Sequence, residues 1–538
     1  MKPDAAMRRI VQLFVALAFV YAAFSPLRIS GMGYMGENLL CADQLAARIA
    51  GGFRGEAAAA PIAWPRHGLI EPLLGLPFVL PVHLLRRSMD YEDAALAFYP
   101  LVLTSLLCVL IYVWGRRLTT DRRAYGLAIG AAFSTMLWPY AYFAMEPAQS
   151  FFLLLGGYLA LGRTTRGESD AATRGWARLA AIANHLRASE GERGWGATVG
   201  FAVAIAIACS AKSNGVFLLP AVGWLVLCRF WDGRRMDRGK GLRMLLVVGV
   251  AGGGFALGAI TRGQYWAKLG AGAAMFLSGR FLIEGPIDYA MNAWSILLSP
   301  NKGLAIFAPL AMLGLALIGR AWRTQPRLAV FAVLILAGNI GAVSLLRVWA
   351  EETWGPRYLH AAIGPLVLCL AASLGRERLR APLKAAIAGC VGVGLLISFL
   401  GSFFYYGALH AAATKAGLST LEGLQTNPHL NHVKFNAALL RVWVRGRVSR
   451  LETPVLWPRA PFWWFEAPAD HPPAREIDLR EYALPQPPWA REMPRRKISP
   501  AIRYGPLAGL VPGLWLLLRL RRRDASGEPL PDEGRDSR

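Results

Sequence analysis

Long apolar runs, divided by short basic segments and a few longer mixed ones, set the pattern of this chain. Runs near residues 10–27, 94–114, 124–139, 147–162, 196–211, 214–230, 244–261, 303–319, 328–346, 359–374, 385–406 and 504–519 carry few charges. Each is about the length that an α-helix needs to cross about 30 Å of hydrocarbon. The pattern predicts an all-α polytopic membrane protein with about 12 transmembrane helices. A further apolar stretch, residues 69–85, carries Glu71 and is interrupted by Pro72, Pro77 and Pro81. It is short of the ~20 residues of a span, and its prolines remove backbone donors, so it reads as an interfacial or re-entrant segment.

Charge fixes the orientation. Leaving 69–85 out of the count, with the N-terminus inside, puts Arg8, Arg9, Arg116, Arg117, Arg122, Arg123, the 163–195 loop, Arg234, Arg235, Arg320, Arg376 and Arg521 on one side. Basic residues there are roughly twice as dense as on the other side, as expected of cytoplasmic segments. Both termini are then cytoplasmic, in a multi-pass plasma (inner) membrane, and the first span is a retained anchor. The formal charge of +25 is thereby explained as topology and attraction to anionic membrane lipids, and nucleic acid is excluded as a partner. With 55% hydrophobic and 17% charged residues the chain is not an ordinary soluble domain. Six cysteines form no CxxC motif and no disulfide framework. No GxxxxGK[ST] and no strand-linked GxGxxG is present, and no repeat of fixed period.

The larger segments outside the membrane, 28–93, 262–302, 347–358 and 407–503, lie on the outer face, where function is to be sought. Three units follow: a transmembrane module over 1–406, with 28–93 as its first outer loop; a Pro/Trp/Arg-rich outer segment over 407–503; and a last helix with a basic tail over 504–538. Residues 431–444 predict one helix in the second unit, and Trp457, Trp463, Trp464 and Phe465 suit the membrane interface. Inside, WARLAAIANHLRA in the 163–195 loop predicts an amphipathic surface helix.

Several polar residues on the outer side are candidates for chemistry. Residues 37–50 predict a surface helix with Leu39, Ala42, Ala46 and Ile49 on its apolar face. It brings Glu37 and Asp43 into one headgroup layer with His67 and Glu71. A carboxylate here either activates an acceptor hydroxyl or holds a divalent metal; the plain alternative is a dipole cap and a solvated side chain. Glu146, in WPYAYFAMEP, is either a helix-start residue or a functional carboxylate in an aromatic turn. Lys212, in SAKSNG beside Asn214, either snorkels or contacts an anionic headgroup. In SPNKGLAIFAPL, Lys302 precedes a helix start and reads as a phosphate seat or as an ordinary snorkelling Lys. In WAEETWGPRYL, Arg357 is suited to bidentate phosphate contact next to Tyr358, or to a salt bridge with Glu351 or Glu352. His429 and His432 lack a third ligand and suggest no metal.

The ordered set of first span, acidic first loop, WPRHGLIEPLLGLPF, FAMEP, SAKSNG, SPNKGLAIFAPL and WGPRYL resembles the GT-C membrane glycosyltransferases. The similarity covers about residues 10–405 and is to the branch of the protein O-mannosyltransferases and lipid A aminoarabinose transferases. The resemblance implies a polyprenyl-phosphate sugar donor and a lipid, glycan or protein acceptor at the outer face. The sequence departs from the family by lacking an adjacent Asp-Glu pair in the first loop, offering Glu37 and, six positions later, Asp43.

On this resemblance the base is Glu37 or Asp43. Arg357, Lys302 and Lys212 serve the departing phosphate. Glu146 orients the acceptor or completes a metal site, alone or with Glu37. A single in-line displacement inverts the anomeric carbon. The rival readings are a transporter or flippase of an envelope lipid or glycan, and a non-catalytic homologue in envelope assembly. Transporters usually carry ionisable groups near the bilayer midplane, whereas here they collect at one face.

Overall fold

The computed structural model describes residues 5–25, 34–53, 69–85, 89–142, 145–162, 195–230, 238–268, 285–346, 354–404, 407–415, 431–445, 450–453, 475–478, 482 and 500–525. The 163–194 stretch with its expected amphipathic helix, His67, Glu351, Glu352, His429, Trp457, Trp463, Trp464 and Phe465 lie outside these residues, as do the side chains of Glu37, Leu39 and Asn214.

In chain order the helices are α1 (Ala5–Phe24), α2 (Tyr34–Phe53), α3 (Ile70–Leu84), α4 (Met89–Leu118), α5 (Asp121–Phe133), α6 (Leu137–Tyr140), α7 (Met145–Leu161), α8 (Trp195–Ser210), α9 (Leu219–Phe230) and α10 (Arg238–Lys268). They continue as α11 (Pro286–Leu298), α12 (Leu304–Phe307), α13 (Pro309–Ala316), α14 (Ile318–Thr324), α15 (Pro326–Val343), α16 (His360–Leu374), α17 (Ala381–Phe403), α18 (Ala408–Lys415), α19 (His432–Arg445) and α20 (Pro500–Ala525). Two short strands, β1 (Arg450–Thr453) and β2 (Arg475–Asp478), pair antiparallel with Arg450 opposite Asp478.

Among the described residues six helices are long and apolar enough to cross a membrane: Met7–Phe24, Ala94–Leu118, Gly239–Thr261, Pro326–Val343, Arg357–Leu374 and Ala381–Phe403. The predicted spans at 196–211, 214–230 and 504–519 coincide with shorter apolar helices. Two predicted spans are broken. The run 124–139 is helical to Phe133 and resumes at Leu137. Between them the carbonyl of Thr135 accepts a 2.8 Å hydrogen bond from Ser398, and Gly394 of α17 approaches so closely that a Cβ there would meet the Ser134 carbonyl at 2.1 Å. A neighbouring helix thus satisfies the backbone that the break frees. The run 303–319 divides at Pro309, because proline has no N–H to continue the ladder and readily opens a new helix, and it divides again at Leu317.

Helix α16 is buried along all of its fifteen residues, as its all-round apolar sequence dictates, and forms the centre against which α4, α7, α13 and α15 pack. Gly314 lets α13 close on it, since a Cβ there would lie 2.1 Å from the Leu366 carbonyl. Helices α10 and α17 instead expose Leu245, Val248, Ile260, Val393 and Leu396, apolar surface fit for lipid. Helix α3, fifteen residues and so about 22 Å long, folds back along the first half of α4, with the Phe78 and Tyr99 rings 6.1 Å apart. On α2 the buried residues include Cys41, Ala42, Ala46 and Ala50; Ile49, expected on the apolar face, is exposed, because the contact follows the inclined i, i+4 ridge of 42, 46 and 50.

The two ends of the bundle differ chemically. At one, Arg9 and Arg116 pair with Asp121, which also accepts a 2.9 Å bond from the Tyr112 hydroxyl. There Arg123 donates to the Leu374 and Gly375 carbonyls, and Arg229 to the Leu159 carbonyl at 2.7 Å. Cations at helix C-termini satisfy orphan carbonyls and oppose the negative end of the dipole. The same end holds both chain-terminal helices: Gly509 of α20 meets Phe19 of α1, Gly513 meets Ala16 and Phe19, and Leu517 accepts a bond from Tyr125, so the two helices run antiparallel.

Beyond α17, Asn431 caps α19 by accepting from the N–H groups of Val433 and Lys434 at 2.8 and 3.1 Å, close to the predicted start of that helix. Phe435, Leu439 and Val442 then bury against Phe403, Phe404 and Leu409.

Candidate functional site

At the other end of the bundle, the starts of α7 and α16 meet the end of α8. Glu146 lies in the first turn of α7, ahead of the apolar run that begins at Pro147, and Lys212 follows α8 in a tight turn. The turn depends on Gly215, where a Cβ would come within 1.9 Å of the Cys209 carbonyl. Lys212 donates to Glu146 at 2.7 Å, and both side chains are almost fully buried.

Arg357 opens a single 3-10 turn that leads into α16. The WGPR loop is held in place from both sides. Gly355 has φ +66° and would carry a Cβ 2.7 Å from the Phe307 ring, and the Trp354 indole occupies the space that a side chain at Gly401 would need. Tyr358 gathers the cations: Lys212 Nζ lies 4.6 Å and Arg357 Cζ 4.9 Å from its ring centroid, and Arg357 donates to its hydroxyl at 3.2 Å. Each contact is within cation–π range. One turn along α7 from Glu146, the Ser150 hydroxyl and His360 Nδ1 share a 2.6 Å hydrogen bond, and the His360 ring packs 5.3 Å from that of Tyr140.

Burial by itself would raise the Glu146 carboxyl's proton affinity. The nearby Lys212 and Arg357 cations, with the Lys212 hydrogen bond, outweigh it and hold the group well below its ordinary value. Glu146 is therefore a carboxylate whose charge fixes Lys212. Such a cluster, with two cations, a phenol and one carboxylate in low dielectric, suits an anion that arrives or forms there.

Four of the residues singled out in the sequence, Glu146, Lys212, Arg357 and Tyr358, meet in this cluster. Lys302 does not touch it in any described contact. It is fully buried, and Phe307, five positions on, packs 5.3 Å from Trp354 in the Arg357 loop. Around Lys302, Asn431 donates to the Pro300 carbonyl at 2.8 Å and to Asn301 at 3.2 Å, so the start of α19 closes over this turn. His432 lies there too, 5.9 Å from the Trp354 ring. The helix after Lys302 is only four residues long, which leaves little dipole behind the expected phosphate seat.

Asp43 is elsewhere, 2.7 Å from His83 Nε2, with Glu92 Oε1 3.6 Å from Nδ1 of the same ring. Glu71 is buried on α3, and Glu37 lies on α2 with its side chain outside the described residues. Sequence reading missed His360, Ser150, His83 and Glu92. A histidine inside the apolar run that follows WGPRYL was a signal in itself, since an ionisable residue inside a span needs a partner.

No family model matches the chain, and no curated protein matches it. A crystal structure of the Archaeoglobus fulgidus oligosaccharyltransferase in complex with Zn and sulfate aligns at 13% identity and a TM-score of 0.39, over 84% of this chain and 59% of that one. The chain thus spans about three-fifths of the length of that protein. A likeness this loose assigns no activity.

Proposed function

We propose that this chain is a GT-C-like membrane glycosyltransferase that moves a sugar from a polyprenyl-phosphate donor to a lipid, glycan or protein acceptor at the outer face of the membrane, with inversion. The observation that carries the reading is the cluster of buried Lys212 and Glu146 with half-buried Arg357 and Tyr358, at the end of the bundle away from the basic helix caps.

The chemistry follows from the groups present. When the acceptor oxygen attacks the anomeric carbon, the bond to the donor phosphate breaks and its electrons leave on the phosphate. Arg357 presents a planar fork to that charge and Lys212 a second cation, and both are preorganised by Tyr358 and Glu146. Phosphate is a good leaving group, so no strong general acid is needed. A carboxylate of the first outer loop, Glu37 or Asp43, takes the acceptor's proton. Asp43 is already bonded to His83, which favours Glu37. Lys302, fully buried five positions before Phe307, which packs on Trp354 of the same loop, supports the donor site by its charge. The ionisable cluster sits at helix ends rather than at mid-depth, which disfavours the transporter reading.

The test is mass spectrometry of envelope glycolipids and glycoproteins from cells with and without the gene, and from cells complemented with Arg357→Ala or Lys212→Ala. A sugar-sized mass difference restored by the wild type and not by the variants supports the reading. Identical envelopes in all strains would remove it.

A further inference from the structure

The first outer loop contains a second constellation, apart from the phosphate cluster and sharing only Asp43, the less favoured base, with the transferase reading. Asp43 on α2, His83 in the last turn of α3 and Glu92 in the first turn of α4 converge from three helices, with one ligand atom from each within 4.8 Å of the others. We propose that these three side chains form a binding site for one divalent transition-metal ion, of zinc type, that clasps α2 to the α3–α4 hairpin.

Four observations carry this. The first is donor type: one imidazole nitrogen and two carboxylate oxygens match the three-ligand zinc sites that keep a fourth position for water, and differ from the all-oxygen shells of calcium and magnesium. Distance is the second. Ligand bonds of about 2.0–2.2 Å in a tetrahedral array set ligand atoms about 3.3 Å apart; Asp43 and Glu92 now face opposite nitrogens of the His83 ring, so binding one ion requires the ring to turn or one carboxylate to swing to the other's side.

Third, the side chains are 14%, 23% and 15% exposed for His83, Asp43 and Glu92, so the site is largely desolvated yet open to an ion and its water. In charge and donor type, two carboxylates and an imidazole match a divalent ion. Fourth, the proton-bridged alternative is incomplete across this pair of contacts: Asp43 is at hydrogen-bond distance from Nε2, whereas 3.6 Å from Nδ1 to Glu92 is too long for one.

With the ion bound, α2 becomes cross-linked to two later helices. Among its described side chains α2 buries Cys41, Ala42, Ala46 and Ala50, all small and so of little apolar area. The ion therefore fixes the helix that also carries Glu37, and acts as a structural clasp rather than a reactant.

The experiment uses the full-length protein in detergent without a histidine tag. Zinc is added, excess is removed by desalting, and metal is counted per chain. Expected is one zinc per chain, an unfolding midpoint lowered by chelator, and an X-ray absorption spectrum with nitrogen and oxygen neighbours and a single imidazole. Asp43→Asn, His83→Gln and Glu92→Gln should each weaken zinc binding by more than about tenfold and abolish the chelator effect. Glu377→Gln, at the opposite end, should retain the ion.

If the wild type holds no stoichiometric zinc after loading, or the spectrum shows two imidazoles or a sulfur, the site does not exist as described. Undiminished zinc in all three variants overturns it equally. Should a variant fail to fold, the count and spectrum of the wild type still decide.

Discussion

Lys212 donates to Glu146 at 2.7 Å although 66 positions separate them in the chain, and each side chain is under 5% exposed. Removing one partner leaves the other charged and buried. Glu146→Gln or Lys212→Met alone should cost about 3–5 kcal/mol, while the double variant should recover much of it. Thermal unfolding in detergent measures this, and strictly additive losses would show that the two charges do not depend on one another.

The same pair sets an acid limit. The Glu146 carboxyl titrates below its ordinary value of 4.5 in the folded protein, so its contribution is complete above that value and is lost as pH falls through the lowered one. The stability gap between wild type and Glu146→Gln should be constant at neutral pH and close only in strong acid. A gap that closes at or above pH 5 would mean the carboxylate is not held by its cations.

Arg357→Lys keeps the charge and loses the planar fork over Tyr358. Sugar transfer should fall by about a hundredfold while the chain still inserts and melts normally. Transfer at the wild-type rate in Arg357→Ala membranes would take this residue out of the mechanism.

Gly355→Ala tests how the Arg357 loop is held. Its φ of +66° disfavours a side chain by about 1–2 kcal/mol. The added Cβ would also press on Phe307 at 2.7 Å, for about 1–3 kcal/mol more. Transfer should drop along with stability, and Phe307→Leu should relieve only the steric part. Unaltered melting and transfer in Gly355→Ala would show that the loop is not keyed this way.

On the reading that α3 does not cross the membrane, a cysteine placed at 120 should stay closed to an impermeant reagent added outside, while 55 and 450 react. Background labelling is low, since the native cysteines are buried or half-buried. Labelling at 120 would reverse the orientation of every later loop.

The helices were legible because apolar length and basic flanks are properties of local sequence, and Glu146, Lys212, Arg357 and Tyr358 stood out as polar groups in apolar turns. The breaks at Ser134 and Pro309 were not, because each depends on a neighbour: Gly394 and Ser398 in one case, a helix restarted by proline in the other. His83 and Glu92 escaped notice for a similar reason. Their partner Asp43 is forty residues away on another helix, and nothing in a local window joins them.

The antiparallel seam between α1 and α20, with Gly509 and Gly513 against Ala16 and Phe19, implies an order of assembly. Helix α1 is made well before α20, which completes one of its faces. At about 5–20 residues per second, that face waits roughly tens of seconds in lipid or against an insertion factor before its partner is synthesised. A ribosome that stalls before residue 500 therefore releases a bundle with an open seam, a feature by which membrane quality control can tell such a chain from one that has made α20.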